Sequence, residues 1–295
     1  MPGKRIETAT SRTAEWTCMS RAASFLETEQ QYRSDDDIAA LLVPGFVRVS
    51  LRMPLLRTLY RRALAPRGLY EYVIARTKYI DAAFQQALAE QFDQIVLFGA
   101  GFDTRALRFR SDLGDIAVYE LDSPPTQAAK INRYRQRGLS VPANVVFVGI
   151  DFDNESLVAK LSEIGLHDNK RSLFILEGVL MYLQPESADA TLRTIRAFAG
   201  KESRLVFDYV KSSVLRGENT LYGEVDVRRA VDRANERWHF GIEPSQIESF
   251  LSSYSFRLKD HADSSNLEKL YFQDSDGRVV GRISGTQCLV TAERL

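Results

Sequence analysis

The chain is short of the residues that cross-link or metallate small folds. Its 295 residues include two cysteines and three histidines. Cys18 and Cys288 lie at opposite ends with no motif spacing, which argues against a disulfide framework or a zinc site. His167, His239 and His261 are too scattered to converge as ligands, so no metal is expected. No apolar run approaches the ~20 residues of a membrane span, and no membrane partner is expected. Residues 1–7 lack the apolar core of a secretory leader, which makes the cytoplasm the expected location. Neither sign of charge is in excess: Lys+Arg and Asp+Glu both total 39, leaving no overall field to draw nucleic acid. No internal repeat or low-complexity tract appears. What remains is ordinary, with 44% hydrophobic residues and a length suited to one large domain or a core with an accessory region.

One stretch departs from that plainness. Residues 94–105 read Gln-Ile-Val-Leu-Phe-Gly-Ala-Gly-Phe-Asp-Thr-Arg. The run from Ile95 to Phe98 has the length and β-branched content of a buried parallel strand. Gly99 and Gly101 then let the backbone turn and admit a ligand without Cβ obstruction. A short helical segment with Ala106, Leu107 and Phe109 follows. Strand, glycine turn and helix make a nucleotide-sized site at the carboxyl edge of an open α/β sheet. A dinucleotide fingerprint needs glycine at position 104, but the chain has Thr104, with Asp103 before it. A carboxylate at the mouth of the turn suits a cation better than a pyrophosphate. S-adenosyl-L-methionine carries a sulfonium and an ammonium and no phosphate, so it is the cofactor expected if the next strands bring acids to the right places; a tight turn that binds nothing is the alternative.

The flanking chain divides accordingly. Residues 1–92 read as a helical cap without strands, and residues 93–295 as the ligand-binding core. Within the cap, Pro44, Pro54 and Pro66 punctuate a stretch containing Arg48, Arg52, Arg57, Arg61, Arg62 and Arg67. Those arginines suit a solvated helical face or an anionic substrate. Val73, Ile80, Phe84 and Leu88 stripe one face of a helix from Tyr70 to Gln91. Arg76, on that helix, can reach a ligand carboxylate with a bidentate fork or form an ion pair with Asp81 or a neighbour.

Strands and helices then alternate. The second strand, 116–121, ends at Asp122, about twenty residues past the glycines, where an acid accepts from ribose hydroxyls. Glu120 points the same way and is the reserve candidate. Ser123 and Pro124 read as N-cap and first helical residue. The third strand, 145–150, closes on Asp151 and Phe152, an acid and a ring suited to an adenine. Each of these acids also reads as a simple helix cap. The fourth strand, 173–176, ends at Glu177, which can face a sulfonium or ammonium, with Tyr182 beyond it. After a fifth strand, 204–209, a charged insert at about 211–240 with Tyr222, Trp238 and His239 reads as a lid or substrate wall. Residues 269–272 and 286–291 read as a closing pair of strands.

Four ordered blocks, Phe98-Gly-Ala-Gly-Phe-Asp-Thr-Arg105, Ala75-Arg-Thr-Lys-Tyr-Ile-Asp81, Tyr119-Glu-Leu-Asp-Ser-Pro124 and Leu176-Glu-Gly-Val-Leu-Met-Tyr-Leu183, resemble the leucine carboxyl methyltransferase family. The bacterial branch of adenosylmethionine-dependent enzymes is the most similar. The resemblance runs from Thr10 to the end and includes Trp238-His-Phe-Gly241. It implies a class I methyltransferase, Rossmann-like α/β fold: a seven-stranded, mostly parallel sheet with a reversed last hairpin and an N-terminal helical cap. It also implies that Arg76 holds the donor's carboxylate, Gly99 and Gly101 shape its turn, and Asp122 binds ribose. Asp151 and Phe152 then meet adenine, Glu177 completes the donor site, and Tyr182 faces the acceptor. Two features depart from the family pattern: Ser123 replaces an apolar residue, and the 211–240 insert matches poorly. The expected activity is O-methylation of a carboxylate, or a hydroxyl, on a small molecule or peptide. A carboxylate is ionised at neutral pH and needs no general base, so no catalytic residue is assigned; a hydroxyl acceptor would call on His239. An NAD-dependent oxidoreductase and a non-catalytic adenosylmethionine-binding module stand as alternatives.

Overall fold

The computed structural model describes residues 9–152 and 154–295. Residues 1–7, read above for a leader, therefore lie outside the described residues. Seven strands form one sheet: β1 (Gln94–Phe98), β2 (Ala117–Asp122), β3 (Val145–Gly149), β4 (Ser172–Leu176), β5 (Arg204–Val210), β6 (Phe256–Ala262) and β7 (Gln287–Arg294), in the order β3-β2-β1-β4-β5-β7-β6. β1 to β5 run parallel, while β7 is antiparallel to both β5 and β6. The central strands β1 and β4 are buried at every residue, as their continuous apolar runs require.

Apolar clusters cover both faces of the sheet. On one face, Cys18, Ala22, Ile74, Ile80 and Phe84 pack with Ile95, Leu97 and Val118. The helices Arg12–Phe25 and Leu69–Ala89 thus share their core with the sheet. On the other face, Leu161, Leu192, Ile195 and Leu251 close over Val96, Phe174 and Phe207. Between residues 9 and 92 every regular element is helical. Among the described residues no helix is long and apolar enough to cross a membrane.

The closing strands differ from the sequence reading. Residues 269–272 lie in and just beyond the helix Ser264–Tyr271, which starts at a capping box between Asp263 and Asn266. The true sixth strand, Phe256–Ala262, escaped notice for a physical reason. It is an edge strand with few buried positions, and an irregularity between Leu258 and Asp260 breaks its two-residue period.

Candidate functional site

The register of the sheet sets the floor of the site. Phe98 pairs with Leu121 on one side and Leu176 on the other, and Leu176 pairs with Phe207. The next residues, Gly99, Asp122, Glu177 and Asp208, therefore stand at one level on four adjacent strands. A cavity of about 1140 Å³ opens at these tips. Eight of the nine residues singled out in the sequence line it: Arg76, Gly99, Gly101, Asp122, Phe152, Glu177, Tyr182 and His239.

Both turn glycines hold left-handed conformations, with φ of 58° at Gly99 and 48° at Gly101. A Cβ at Gly99 would fall 2.5 Å from Val179 Cγ2, so the turn requires glycine there. The Gly101 N–H donates to Asp122 Oδ2, while Asp122 Oδ1 accepts from the Ser123 N–H at 2.6 Å. Burial pushes the Asp122 carboxyl up, and these hydrogen bonds work against that rise. Phe152 lies with its ring 6.3 Å from that of Phe98. Asp151 is not part of the cavity wall; its carboxylate accepts from Asn154 Nδ2 at 2.8 Å and its N–H donates to Glu155. Glu120 is buried behind the floor against Lys130, and burial raises its carboxyl to about 6. It too lies off the wall.

Beneath the tips lies a web of charge that the sequence did not reveal. Arg105, fully buried, donates to Asp81 Oδ1 and Glu177 Oε2, both at 2.7 Å, and to Asp103. Arg108 holds both oxygens of Asp81 at 2.7 Å. Arg21 bonds Asp36 at 2.9 Å. Arg76 pairs with Glu177 at 3.0 Å and with Asp208 at 2.8 Å, and Tyr72 donates to the same Asp208 oxygen. Asp81, weighed above as its partner, serves Arg105 and Arg108 instead. Burial opposes charge on Glu177, yet Arg105, Arg76 and Arg21 outweigh it and hold the carboxyl at about 2. Counted together, Asp36, Asp81, Asp103, Asp122, Glu177 and Asp208 face Arg21, Arg76, Arg105 and Arg108: six carboxylates against four guanidiniums. The floor thus carries an excess of two negative charges beside the glycine turn. A signal for Asp208 did exist, as a lone acid inside the apolar run of β5.

The insert supplies the opposite wall. Its helix Glu224–Ala234 ends at Asn235, and Glu236 then reaches the start of the helix Arg12–Phe25. The Glu236 carboxylate accepts from the Arg12 N–H at 2.9 Å, the Thr13 N–H at 3.3 Å and Ser11 Oγ at 3.3 Å. A carboxylate suits a helix N-terminus, where backbone N–H groups lack partners. His239 is exposed on this wall, and its backbone N–H donates to the Met181 carbonyl at 2.7 Å. Arg12, Arg62, Arg229 and Arg233 stand exposed around the rim, and no carboxylate lies within ion-pair distance of them among the described residues.

The sheet order, the reversed seventh strand and the cavity over the strand tips define a Rossmann-like α/β protein with the class I methyltransferase fold. Two solved structures share that fold over nearly the whole chain. A DUF574 family protein from Streptomyces avermitilis has a TM-score of 0.62 at 14% identity, covering 99% of this chain and 100% of its own. A Thermobifida fusca protein described as a methyltransferase has a TM-score of 0.61 at 15% identity, covering 99% and 98%. The chain belongs to the leucine carboxyl methyltransferase family, whose sequence model matches residues 14–196. YktD of Bacillus subtilis, assigned by name to the S-adenosyl-L-methionine-dependent methyltransferases, is 24% identical over 201 residues, which are 68% of this chain and 66% of YktD. A similarly named protein of Mycolicibacterium vanbaalenii is 32% identical over 155 residues, 52% of this chain and 50% of its own. The chain thus matches between half and two thirds of the length of these relatives.

Proposed function

We propose that the chain is an S-adenosyl-L-methionine-dependent O-methyltransferase whose acceptor is a carboxylate on a small molecule or peptide. One observation carries the reading: the cavity is acidic at the strand tips and cationic at its rim. The excess carboxylates suit a sulfonium and an ammonium, whereas they would repel a pyrophosphate. That contrast, with Thr104 in place of a third glycine, speaks against a dinucleotide oxidoreductase. The relatives' names point the same way.

The residues present fit such a donor. Asp122 would accept from the ribose hydroxyls, Phe152 would cover the base, and the Gly99–Gly101 turn would admit the chain that joins nucleoside to amino acid. Glu177 would face the ammonium, and Arg76, already steadied by Glu177 through Nε and by Asp208 through Nη1, would turn its remaining N–H groups to the carboxylate. The donor supplies an electrophilic methyl group on a sulfonium. Tyr182, Met181 and Trp238 wall the chamber in front of it and limit water. The rim arginines draw in an anionic acceptor and orient its carboxylate. With an ordinary carboxyl pKa of about 4, that acceptor arrives ionised and no general base is needed.

The test is a calorimetric titration with adenosylmethionine and NAD(H), then incubation of the donor, methyl-labelled, with panels of carboxylic acids and phenols. We expect donor binding and a product that releases labelled methanol in mild base, as methyl esters do and ethers do not. Binding of NAD(H) with silence toward adenosylmethionine would overturn the reading. Base-stable product would move the acceptor to a hydroxyl, and firm donor binding without any transfer would favour a non-catalytic module.

A further inference from the structure

Residues 38–70 hold six arginines and no acid. The helices Gly45–Leu51 and Pro54–Leu59 and the π-helix Tyr60–Leu64 follow one another within that span. Seven of the fifteen exposed large apolar residues among those described lie between positions 46 and 64. Leu55 is 83% exposed, Phe46 75% and Leu64 69%. Leu55 and Leu59 are four apart in one α-helix and so share a face, and the π-helix that carries Leu64 follows directly. Apolar exposure this concentrated marks a contact surface.

Arg67 pairs with Asp226 at 3.3 Å, and the other five arginines separate into two groups. Arg57 and Arg61 turn inward, Arg57 toward the Leu51 carbonyl at 2.8 Å and Arg61 over the Tyr32 ring at 4.2 Å, with Glu27 near both. Arg48, Arg52 and Arg62 have no carboxylate within ion-pair distance among the described residues. Exposed apolar side chains interleaved with unpaired cations match the interface of an anionic bilayer, which takes up both together. A second copy of the chain fits less well. A two-fold contact places the same patch against itself, bringing these arginines face to face.

We propose that residues 45–64 form a docking face for an anionic lipid bilayer. The face runs into the cavity, because Arg62, Leu64 and Arg67 also line its mouth. Docking would set that mouth at the headgroup layer, where an amphiphilic carboxylate resides. Such an association is peripheral, so it departs from the expectation of no membrane partner, which rested on the lack of a spanning segment. The docking rests on surface chemistry alone, and vesicle binding is measured without donor or acceptor, so its failure leaves the methyl-transfer reading untouched.

The test is co-sedimentation of the full chain with vesicles of phosphatidylcholine mixed with phosphatidylglycerol, and with vesicles of phosphatidylcholine alone. We expect at least about tenfold stronger binding to the anionic vesicles, weakening as salt rises. Arg48→Glu/Arg52→Glu and Phe46→Ser/Leu55→Ser should each abolish that preference while leaving Tm unchanged, because these side chains are exposed or half-exposed. Absent or charge-independent vesicle binding would overturn the proposal. So would a dimer, detected by light scattering, that Leu55→Ser dissolves, since a second copy would then cover the face.

Discussion

The two ends of the cavity keep their charges in opposite ways. At the strand tips the side chains of Arg76, Arg105 and Arg108 are buried and each bonds at least one carboxylate. At the rim Arg12, Arg62, Arg229 and Arg233 stand in solvent without a carboxylate in reach among the described residues. Desolvation accounts for the difference. A buried ion left unpaired costs several kcal/mol, so the floor can exist only as a closed network. An exposed guanidinium carries no such penalty and stays available to whatever arrives. On the proposed reading, the floor suits one fixed occupant and the rim an exchangeable one.

Asp208→Ala gives the largest effect expected from this contrast. It strips Arg76 and Tyr72 of a shared buried acceptor, and urea unfolding should register a loss of about 3–5 kcal/mol. A loss below about 1 kcal/mol would mean that the floor behaves like the rim. Asp122→Ala comes next: removing a charged acceptor at the proposed donor site should weaken adenosylmethionine binding by roughly 1.5–3 kcal/mol in calorimetry. Unchanged affinity would place the ribose elsewhere.

The acid limb sharpens the comparison further. Glu177 sits at about 2 in the fold against an ordinary 4.5. Its contribution to stability is therefore complete above about pH 4.5 and is lost as pH falls toward 2. Glu177→Gln should flatten the stability–pH curve across that window, and an unaltered slope would remove Glu177 from the network. Smallest in stability is Arg229→Ala/Arg233→Ala, expected within about 0.5 kcal/mol of the parent. Its effect belongs in a raised KM for the acceptor at near-constant kcat; an unchanged KM would leave the rim without a role in recognition.

The floor was largely legible in the sequence because strand ends fall in chain order. Gly99, Asp122, Phe152 and Glu177 each follow an apolar run, and parallel pairing brings such positions together. Asp208 stood out as a lone acid in β5, but its role and the partners of Arg105 were not legible. Their meaning depends on which buried cation lies opposite, and that is a property of packing between distant segments. The edge strand β6 was hidden by its own exposure, since half its residues answer to solvent rather than to a core. The arginine-rich stretch 48–67 was visible as composition, but only the structure separates the inward pair, Arg57 and Arg61, from the outward Arg48, Arg52 and Arg62 and from Arg67, which pairs with Asp226.

One consequence follows from the pairing of Phe98 with both Leu121 and Leu176. The height of Gly99, Asp122 and Glu177 is dictated by the ladder of main-chain bonds, which is indifferent to side-chain identity. Rewriting the segment 211–240 would alter the outer wall without shifting the shelf proposed to hold the nucleoside. On the proposed reading, a new acceptor preference can therefore be engineered into that outer segment while the strand tips that would hold the methyl donor stay as they are.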